Sequence, residues 1–326
     1  MKYCLAIDQG GTKTDAIVFD SDGNILSKGQ APGCCYIFSD INQAMGCIKE
    51  AAERAFSDAK ITASEIDLVV SCMTGADWDF EREFLKQHLI DLFDCENVVV
   101  ENDCIGALRG GSHAQECGII CMGTGGNIAL RNKSGEQFIF GYYLSEGYQG
   151  ASSLGKMGFD AVMNAFSGIG KKTSLTQSIL EYTGAKDPED LLIKVTMKQI
   201  QPEYKNISPL VFSAVEKGDE VSKNLIACMA KHFYKCVVAG ASRLNIDLKG
   251  FELVLSGGMF KGKGYLMRDE IAKLFSKNPG IKITDGRYEP VAGAGLLGLD
   301  SIYGKDISVA VLQRFEQDCE KMSLHR

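Results

Sequence analysis

The sequence predicts an α/β fold in two halves of related design. Two short β-rich hairpins, each closed by a glycine turn that carries a hydroxyl, stand at the heads of the halves. Helical patterns alternating with buried strands follow each hairpin. At 326 residues and 45% hydrophobic content, the chain can build two domains, each with its own core.

In the first half, residues 5–9 and 14–20 flank the turn Gly10-Gly11-Thr12, and Asp22-Gly23 closes the second run. Residues 25–29 read as a third strand, left through a loop at Ala31-Pro32-Gly33. Residues 39–58 turn helical, with Ser39 or Asp40 as N-cap and Ile41, Ala44, Met45, Ile48, Ala52 and Ala55 on one stripe. A buried strand over 66–73 ends in Thr74-Gly75-Ala76-Asp77, a helix follows over about 78–93, and residues 97–103 form another strand. Three antiparallel strands, a helix, then parallel strands alternating with helices is the order of a ribonuclease-H-like half.

The second half repeats this less cleanly. Its hairpin is Gly118 to Leu130 around Gly123-Thr124-Gly125-Gly126, with further strands at 138–142 and 251–256. Helical insertions are expected at 152–166, 174–182 and 208–244, and 186–207 reads as a cap or connector over the site. A last helix over about 306–322 carries Val309, Leu312, Phe315 and Cys319 on one face and should pack back on the first half. The expected division is therefore 1–110 with 306–326, and 111–305, joined by a hinge near 104–117 beside an interdomain cleft.

Composition excludes several functions. Net charge is −7 without a basic block, so the clustered cations of a nucleic-acid surface are missing. No eighteen consecutive apolar residues occur, so no membrane partner or span is expected. The first strand leaves no room for a signal peptide, and the expected location is the cytoplasm. Of twelve cysteines, Cys4, Cys72, Cys121, Cys228 and Cys236 lie in apolar runs like small core residues, while Cys34 and Cys35 fall in a loop that could be exposed. With no C-x-x-C and four scattered histidines there is no zinc-ligand spacing, and free thiols are expected.

Paired glycines let a ligand approach the backbone and aim successive N–H groups at one point, which suits an anionic phosphate. One such turn is equally an ordinary hairpin. Two copies suggest a nucleotide's phosphates gripped between them.

With both turns in place, the sequence resembles the actin/hexokinase/Hsp70 superfamily of ATP-binding folds. Within it, the sequence is similar to the N-acetylglucosamine kinase group and the related BadF/BadG/BcrA/BcrD ATPase family. The carriers are Asp8-Gln9-Gly10-Gly11-Thr12-Lys13-Thr14, Glu101-Asn102-Asp103-Cys104 and Met122-Gly123-Thr124-Gly125-Gly126-Asn127. Leu255-Ser256-Gly257-Gly258-Met259 and the glycine-rich run from Pro290 to Gly298 complete the set.

The resemblance implies an ATP-dependent kinase of an amino sugar, working with Mg²⁺. Gly10, Gly11 and Thr12 would donate to phosphate, Lys13 would offset its charge, and Asp8 would hold the metal, unless Asp8 only caps the turn. Asp103 would be the base that accepts the proton of the sugar hydroxyl, or else an N-cap for the helix after it. Gly123, Thr124, Gly125 and Gly126 would hold the other side of the phosphates. Gly257, Gly258, Gly293 and Gly295 would lie near the adenosine, with helix packing as the alternative for the last pair. Asn127 would touch the sugar, and Thr74, Gly75 and Asp77 form a second sugar-side loop. Where the related kinases carry acids that fix the sugar, this chain has Tyr148 and Gln149, with Glu146 as the nearby acid. A homodimer is common among such kinases, though no stripe here points to one. The alternative is an ATPase that drives a partner enzyme, like the iron–sulfur activators of 2-hydroxyacyl-CoA dehydratases, for which Cys121 lies near the second turn. A sugar-sensing regulator and a filament former use the same fold, but there is no helix-turn-helix and no polymerising surface to support them.

Overall fold

A computed structural model of the chain describes residues 3–278, 280–304 and 306–325. Its contacts divide the chain into two compact units, residues 1–119 with 284–326, and residues 120–283.

The first unit starts with β1 (Tyr3–Gln9), β2 (Lys13–Asp20), β3 (Ile25–Pro32), α1 (Ile41–Ala59), β4 (Ile66–Met73), α2 (Asp79–Phe93), β5 (Val98–Asn102) and α3 (Asp103–Gly111). The sheet order is β3-β2-β1-β4-β5. β1 and β2, and β2 and β3, are antiparallel, whereas β1, β4 and β5 run parallel. Register aligns Asp8 with Cys72 and Cys72 with Glu101, and likewise Gln9 with Met73 and Asn102. The carboxyl ends of three parallel strands therefore meet at one edge, where open α/β sheets bind ligands. Strand alternation sends Leu5, Ile7 and Val69 to a core with α1 and α2, and Cys4, Ala6, Val70 and Cys72 to the opposite core. Asp40 is the N-cap of α1, accepting from the Asn42 N–H at 2.6 Å. Ala31 and Pro32, expected in a loop, extend β3, where they pair with Thr14 and Lys13.

The second unit has β6 (Cys117–Met122), β7 (Gly126–Arg131), β8 (Gln137–Ile139), α4 (Gly150–Phe166), α5 (Leu175–Thr183), α6 (Pro188–Thr196), α7 (Tyr204–Glu216), α8 (Glu220–Arg243), β9 (Glu252–Ser256), α9 (Tyr265–Phe275) and β10 (Lys282–Asp285). Its sheet order is β10-β9-β6-β7-β8. Ile120, Met122, Ile128 and Leu255 pack with Leu154, Val162, Val211 and Phe233 in one continuous core. The strand expected over 138–142 stops at Ile139, because Gly141 takes a positive φ of 44° and begins a single 3₁₀ turn. The long helix expected over 208–244 is broken at Gly218, φ 87°, after which Asp219 caps α8. Within the expected connector, Asp187 caps α6 with Pro188 at its first turn.

The chain then returns to the first unit as α10 (Pro290–Tyr303) and α11 (Val309–Lys321). This differs from the expected division, which kept 284–305 with the second half and put a hinge at 104–117, where α3 lies. The reason is packing. A Cβ on Gly293 would stand 1.8 Å from the Gly106 carbonyl oxygen of α3, so α10 and α3 touch backbone to backbone. Arg109 of α3 forks onto Asp300 of α10 at 2.7 and 3.0 Å. Phe315 of α11 meets Phe19 edge to face at 5.9 Å, closing the core over the sheet.

Candidate active site

The first glycine turn is set by the sheet beneath it. Gly10 N–H donates to the Lys13 carbonyl at 3.0 Å, closing the hairpin. Gly33, one residue past β3, passes so close that a Cβ there would lie 2.4 Å from the Thr12 and Lys13 backbone. Gly11 differs: its φ is not positive, and a Cβ there would meet nothing within 4 Å. Neither strain nor packing calls for glycine at that position, whose open side suits a ligand. Lys13 is committed elsewhere. Its ammonium pairs with Asp15 at 2.5 Å and Glu289 at 3.3 Å. Burial lowers its pKa, but the two carboxylates outweigh that and raise it. The charge expected for phosphate is thus already balanced by protein.

An acid cluster forms at the ends of β1, β4 and β5. Asp8 is buried, and burial followed by the charges of Asp8, Glu101 and Asp103 pushes the Cys72 thiol well above its usual range. Asp103 opens α3, but the N-cap is Asn102, whose Oδ1 accepts from Cys104 N–H at 3.0 Å. The capping alternative for Asp103 is therefore taken by its neighbour. Asn102 also donates through Nδ2 to Asp77 at 3.0 Å. Burial, then the nearby Asp77 charge, pushes Asp103 up to about 6. A carboxyl poised near that value exchanges a proton readily at neutral pH.

The loop 74–77 is held from both sides. Thr74 N–H donates to the Gln9 carbonyl at 2.9 Å, and Gly75 takes a φ of 86° under Ile37. Buried Glu81 accepts from Asp77 and Trp78 N–H at 3.0 and 2.9 Å. Cys35 Sγ contacts the Thr74 carbonyl at 3.9 Å. Cys35 is half-buried and Cys34 buried, so these loop thiols, which could have been exposed, are largely covered.

In the second unit the glycine turn is held by a helix. Gly123 N–H donates to Gly125, and the first amides of α4 donate back, Ala151 to Gly123 at 2.9 Å and Ser152 to Thr124 at 3.0 Å. Gly150 has φ 77°, and a Cβ on it would stand 2.2 Å from the Gly125 carbonyl oxygen. Gly125 itself opens onto free space, whereas a Cβ on Gly126 would stand 2.8 Å from the Cys121 carbonyl oxygen. Asn127 Oδ1 accepts from Ile128 and Gly141 N–H, both at 2.8 Å, so its carbonyl shapes the hairpin.

Tyr148 and Gln149, expected on the sugar side, both have partners within the second unit. Tyr148 stacks on His232 of α8 at 4.1 Å and 11°, with its hydroxyl 3.5 Å from Cys228. Cys228, expected in the core, is exposed. Gln149 gives its amide to the Leu144 carbonyl at 2.7 Å, while Glu146 stands exposed in a short 3₁₀ turn. Gly257 needs its φ of 102° to pass Met122, and Gly258 is exposed and faces open space. Gly293 and Gly295 are buried inside the first unit, against α3 and against Phe315 and Ile17. Packing accounts for glycine at both positions.

Sequence reading gave no role of their own to Asn102, Glu81, Gly33 and Gly150. Asn102 and Gly150 were legible as helix-start residues. Glu81 had the N3 spacing of a capping box, but Trp78 stands where a hydroxyl residue is usual.

The profile of the BadF/BadG/BcrA/BcrD ATPase family matches residues 5–298. The chain belongs to that family. Among curated relatives, the N-acetyl-D-glucosamine kinase of Dictyostelium discoideum is 28% identical over 91% of this chain and 98% of its own. The N-acetylmuramic acid/N-acetylglucosamine kinase of Clostridium acetobutylicum is 26% identical over the same shares. Among solved structures, a candidate N-acetylglucosamine kinase from Chromobacterium violaceum aligns with TM-score 0.71 at 20% identity, covering 91% of this chain and 99% of its own. A ROK family glucokinase from Streptomyces griseus aligns with TM-score 0.56 at 16% identity, covering 92% and 98%. These alignments give this BadF/BadG/BcrA/BcrD ATPase family member the two-domain fold of such kinases. Among the described residues, no helix is long and apolar enough to cross a membrane.

Proposed function

We propose that the protein is an ATP-dependent kinase of an amino sugar of the N-acetylglucosamine class. The observation that carries this reading is Asp103, lifted to about 6 by burial and Asp77 at the carboxyl ends of the parallel strands. Full-length relatives that are amino-sugar kinases favour it over a partner-driving ATPase.

In this mechanism Asp103 accepts the proton of the acceptor hydroxyl as its oxygen forms a bond to the γ-phosphorus and the bond to ADP breaks. Asn102 fixes Asp77, whose charge keeps Asp103 basic enough for the transfer. The amides of Gly11 and Thr12 would donate to phosphate, since that of Gly10 already closes the hairpin.

Among the described residues no group of three or more His, Cys, Asp or Glu is placed to hold a metal. That suits Mg²⁺, which commonly takes one or two carboxylates and fills its shell with waters and substrate phosphates. Buried Asp8, beside Glu101 and Asp103 around Cys72, is the residue that would hold it. Bound there, the ion would neutralise phosphate charge.

The test is coupled ADP release with Mg-ATP over N-acetylglucosamine, glucosamine, N-acetylmuramic acid, N-acetylmannosamine, glucose and a no-sugar blank. Stimulation by an amino sugar is expected. Steady hydrolysis that no sugar raises would overturn the reading.

A further inference from the structure

The proposed reaction gives no part to the contact between Tyr148 and α8. Residues 144–153, which lead into α4, form one hydrogen-bonded knot. Tyr148 N–H donates to the Ser145 carbonyl at 2.8 Å, Gln149 N–H to Ser153 Oγ at 3.0 Å, and Ser153 Oγ to the Glu146 carbonyl at 2.5 Å. The knot grips the second glycine turn, since Gly150 presses on Gly125 while Ala151 and Ser152 donate to the Gly123 and Thr124 carbonyls. Shortly before Gly150, the Tyr148 ring lies flat on the imidazole of His232, with centroids 4.1 Å apart and planes inclined by 11°. His232 stands on a firm base, because its neighbour Phe233 is wholly buried in the core of the second unit. Its Nε2 is buried without a hydrogen-bond partner among the described residues. Burial, and then the charge of Lys235, lowers its pKa and favours the neutral ring. A buried polar atom that bonds nothing costs free energy, so what this ring contributes is its flat face.

We infer that His232 is a positioning residue for the nucleotide: acting through Tyr148, it holds the knot, and with it residues 123–126, in the form that receives phosphate. A stacked aromatic pair contributes beyond the area it buries. Without the stack the knot is released part of the time, and apparent ATP affinity falls with the fraction of chains whose turn is intact. Bound ATP selects the intact turn, so turnover at saturation is kept. This inference rests on the assignment of that turn to phosphate in the sugar-kinase reading.

The test is equilibrium binding of Mg-ATP, with steady-state kinetics beside it. In His232→Ala, Kd and KM for ATP are expected to rise about fivefold with kcat unchanged, the loss of one aromatic stack. His232→Phe keeps a flat ring, removes the orphaned nitrogen, and should restore both to within about twofold. Tyr148→Phe loses only the hydroxyl that stands 3.5 Å from Cys228 and should bind ATP as the unaltered chain does. Tyr234→Ala controls for general loosening of α8, because that ring packs on Phe275 of α9 at 4.8 Å. It should lower the melting temperature and leave the Kd alone. Amide hydrogen exchange without nucleotide should quicken in His232→Ala at Gly123, Ala151 and Ser152, whose N–H groups are bonded within the turn. An ATP Kd indifferent to His232→Ala, no recovery in His232→Phe, or exchange unaltered at all three amides overturns the inference and leaves the kinase standing. So does a Tyr148→Phe variant as weak as His232→Ala, which would make the hydroxyl the tie. If the variants behave as described but no sugar is phosphorylated, the kinase reading fails and the positioning role stands; if no ATP binds, both fall.

Discussion

The two glycine turns look alike in sequence, yet they are built by different means. In the first unit the turn is an end of the sheet, shaped by the hairpin and by the pass of Gly33. In the second, the turn is held by a helix, with Ala151 and Ser152 donating to it and Gly150 pressed on Gly125. The carboxylates of the two units differ as well. The first unit lifts a carboxyl, Asp103, towards neutrality. In the second, Asp190 and Glu216 are lowered by Lys194 and Lys263, and Asp219 is lowered because N–H bonds from Ser222 and Ser174 outweigh its burial. The contrast teaches that a repeated motif need not repeat a function: in the mechanism proposed above, proton chemistry would belong to the first unit, and the second would offer a shaped backbone.

The strongest test of that contrast is Asp103→Asn. Turnover should fall ~10²–10⁴-fold, the usual worth of a positioned base, with ATP affinity retained by equilibrium binding. Unchanged turnover would put the chemistry elsewhere.

Gly150→Ala probes the helix-held turn. A side chain at φ 77° and 2.2 Å from a carbonyl oxygen costs at least about 1–2 kcal/mol and must move the turn. Both melting temperature and ATP affinity should drop. Gly11→Ala is the contrasting case, since its Cβ would meet nothing. Stability should hold within about 0.5 kcal/mol while KM for ATP rises about tenfold, from lost contact with a charged phosphate. Equal effects in the two variants would erase the distinction drawn here.

A pH series gives the smallest but most specific signal. Only ionised Asp103 accepts a proton, so kcat/KM should decline tenfold per unit below about pH 6 and level off above it. Its folded pKa lies above the ordinary carboxylate value of 3.8. Asp103 therefore favours folding while protonated, and that contribution is lost as pH rises from about 4 through about 6. Asp103→Asn should accordingly stabilise the fold at pH 8, by an order of 1–3 kcal/mol, and not at pH 4. Denaturant melts at both values would show it.

Much of the first unit was legible because its signals are local: alternating strands, the Asp40 cap, the glycine hairpin. The place of α10 was not, because its run from Val291 to Leu299 is buried on nearly every side and carries no stripe to choose a partner. What settles it is the close approach of Gly293 to Gly106, a pair 187 positions apart. The sugar-side residues were hidden for a similar reason. That Tyr148 leans on His232, and that Gln149 serves a carbonyl of its own loop, depends on rotamers that spacing does not encode.

The interrupted path of the first unit also orders events at the ribosome. Residues 120–283 form a contiguous unit and can finish folding while the last segment is still being made. The sheet of the first unit must meanwhile wait with one face bare, because Val291, Leu296 and Phe315 arrive only with α10 and α11. Nascent chains stopped before residue 284 should therefore protect the middle of the sequence from protease first, leaving the earliest-made strands exposed.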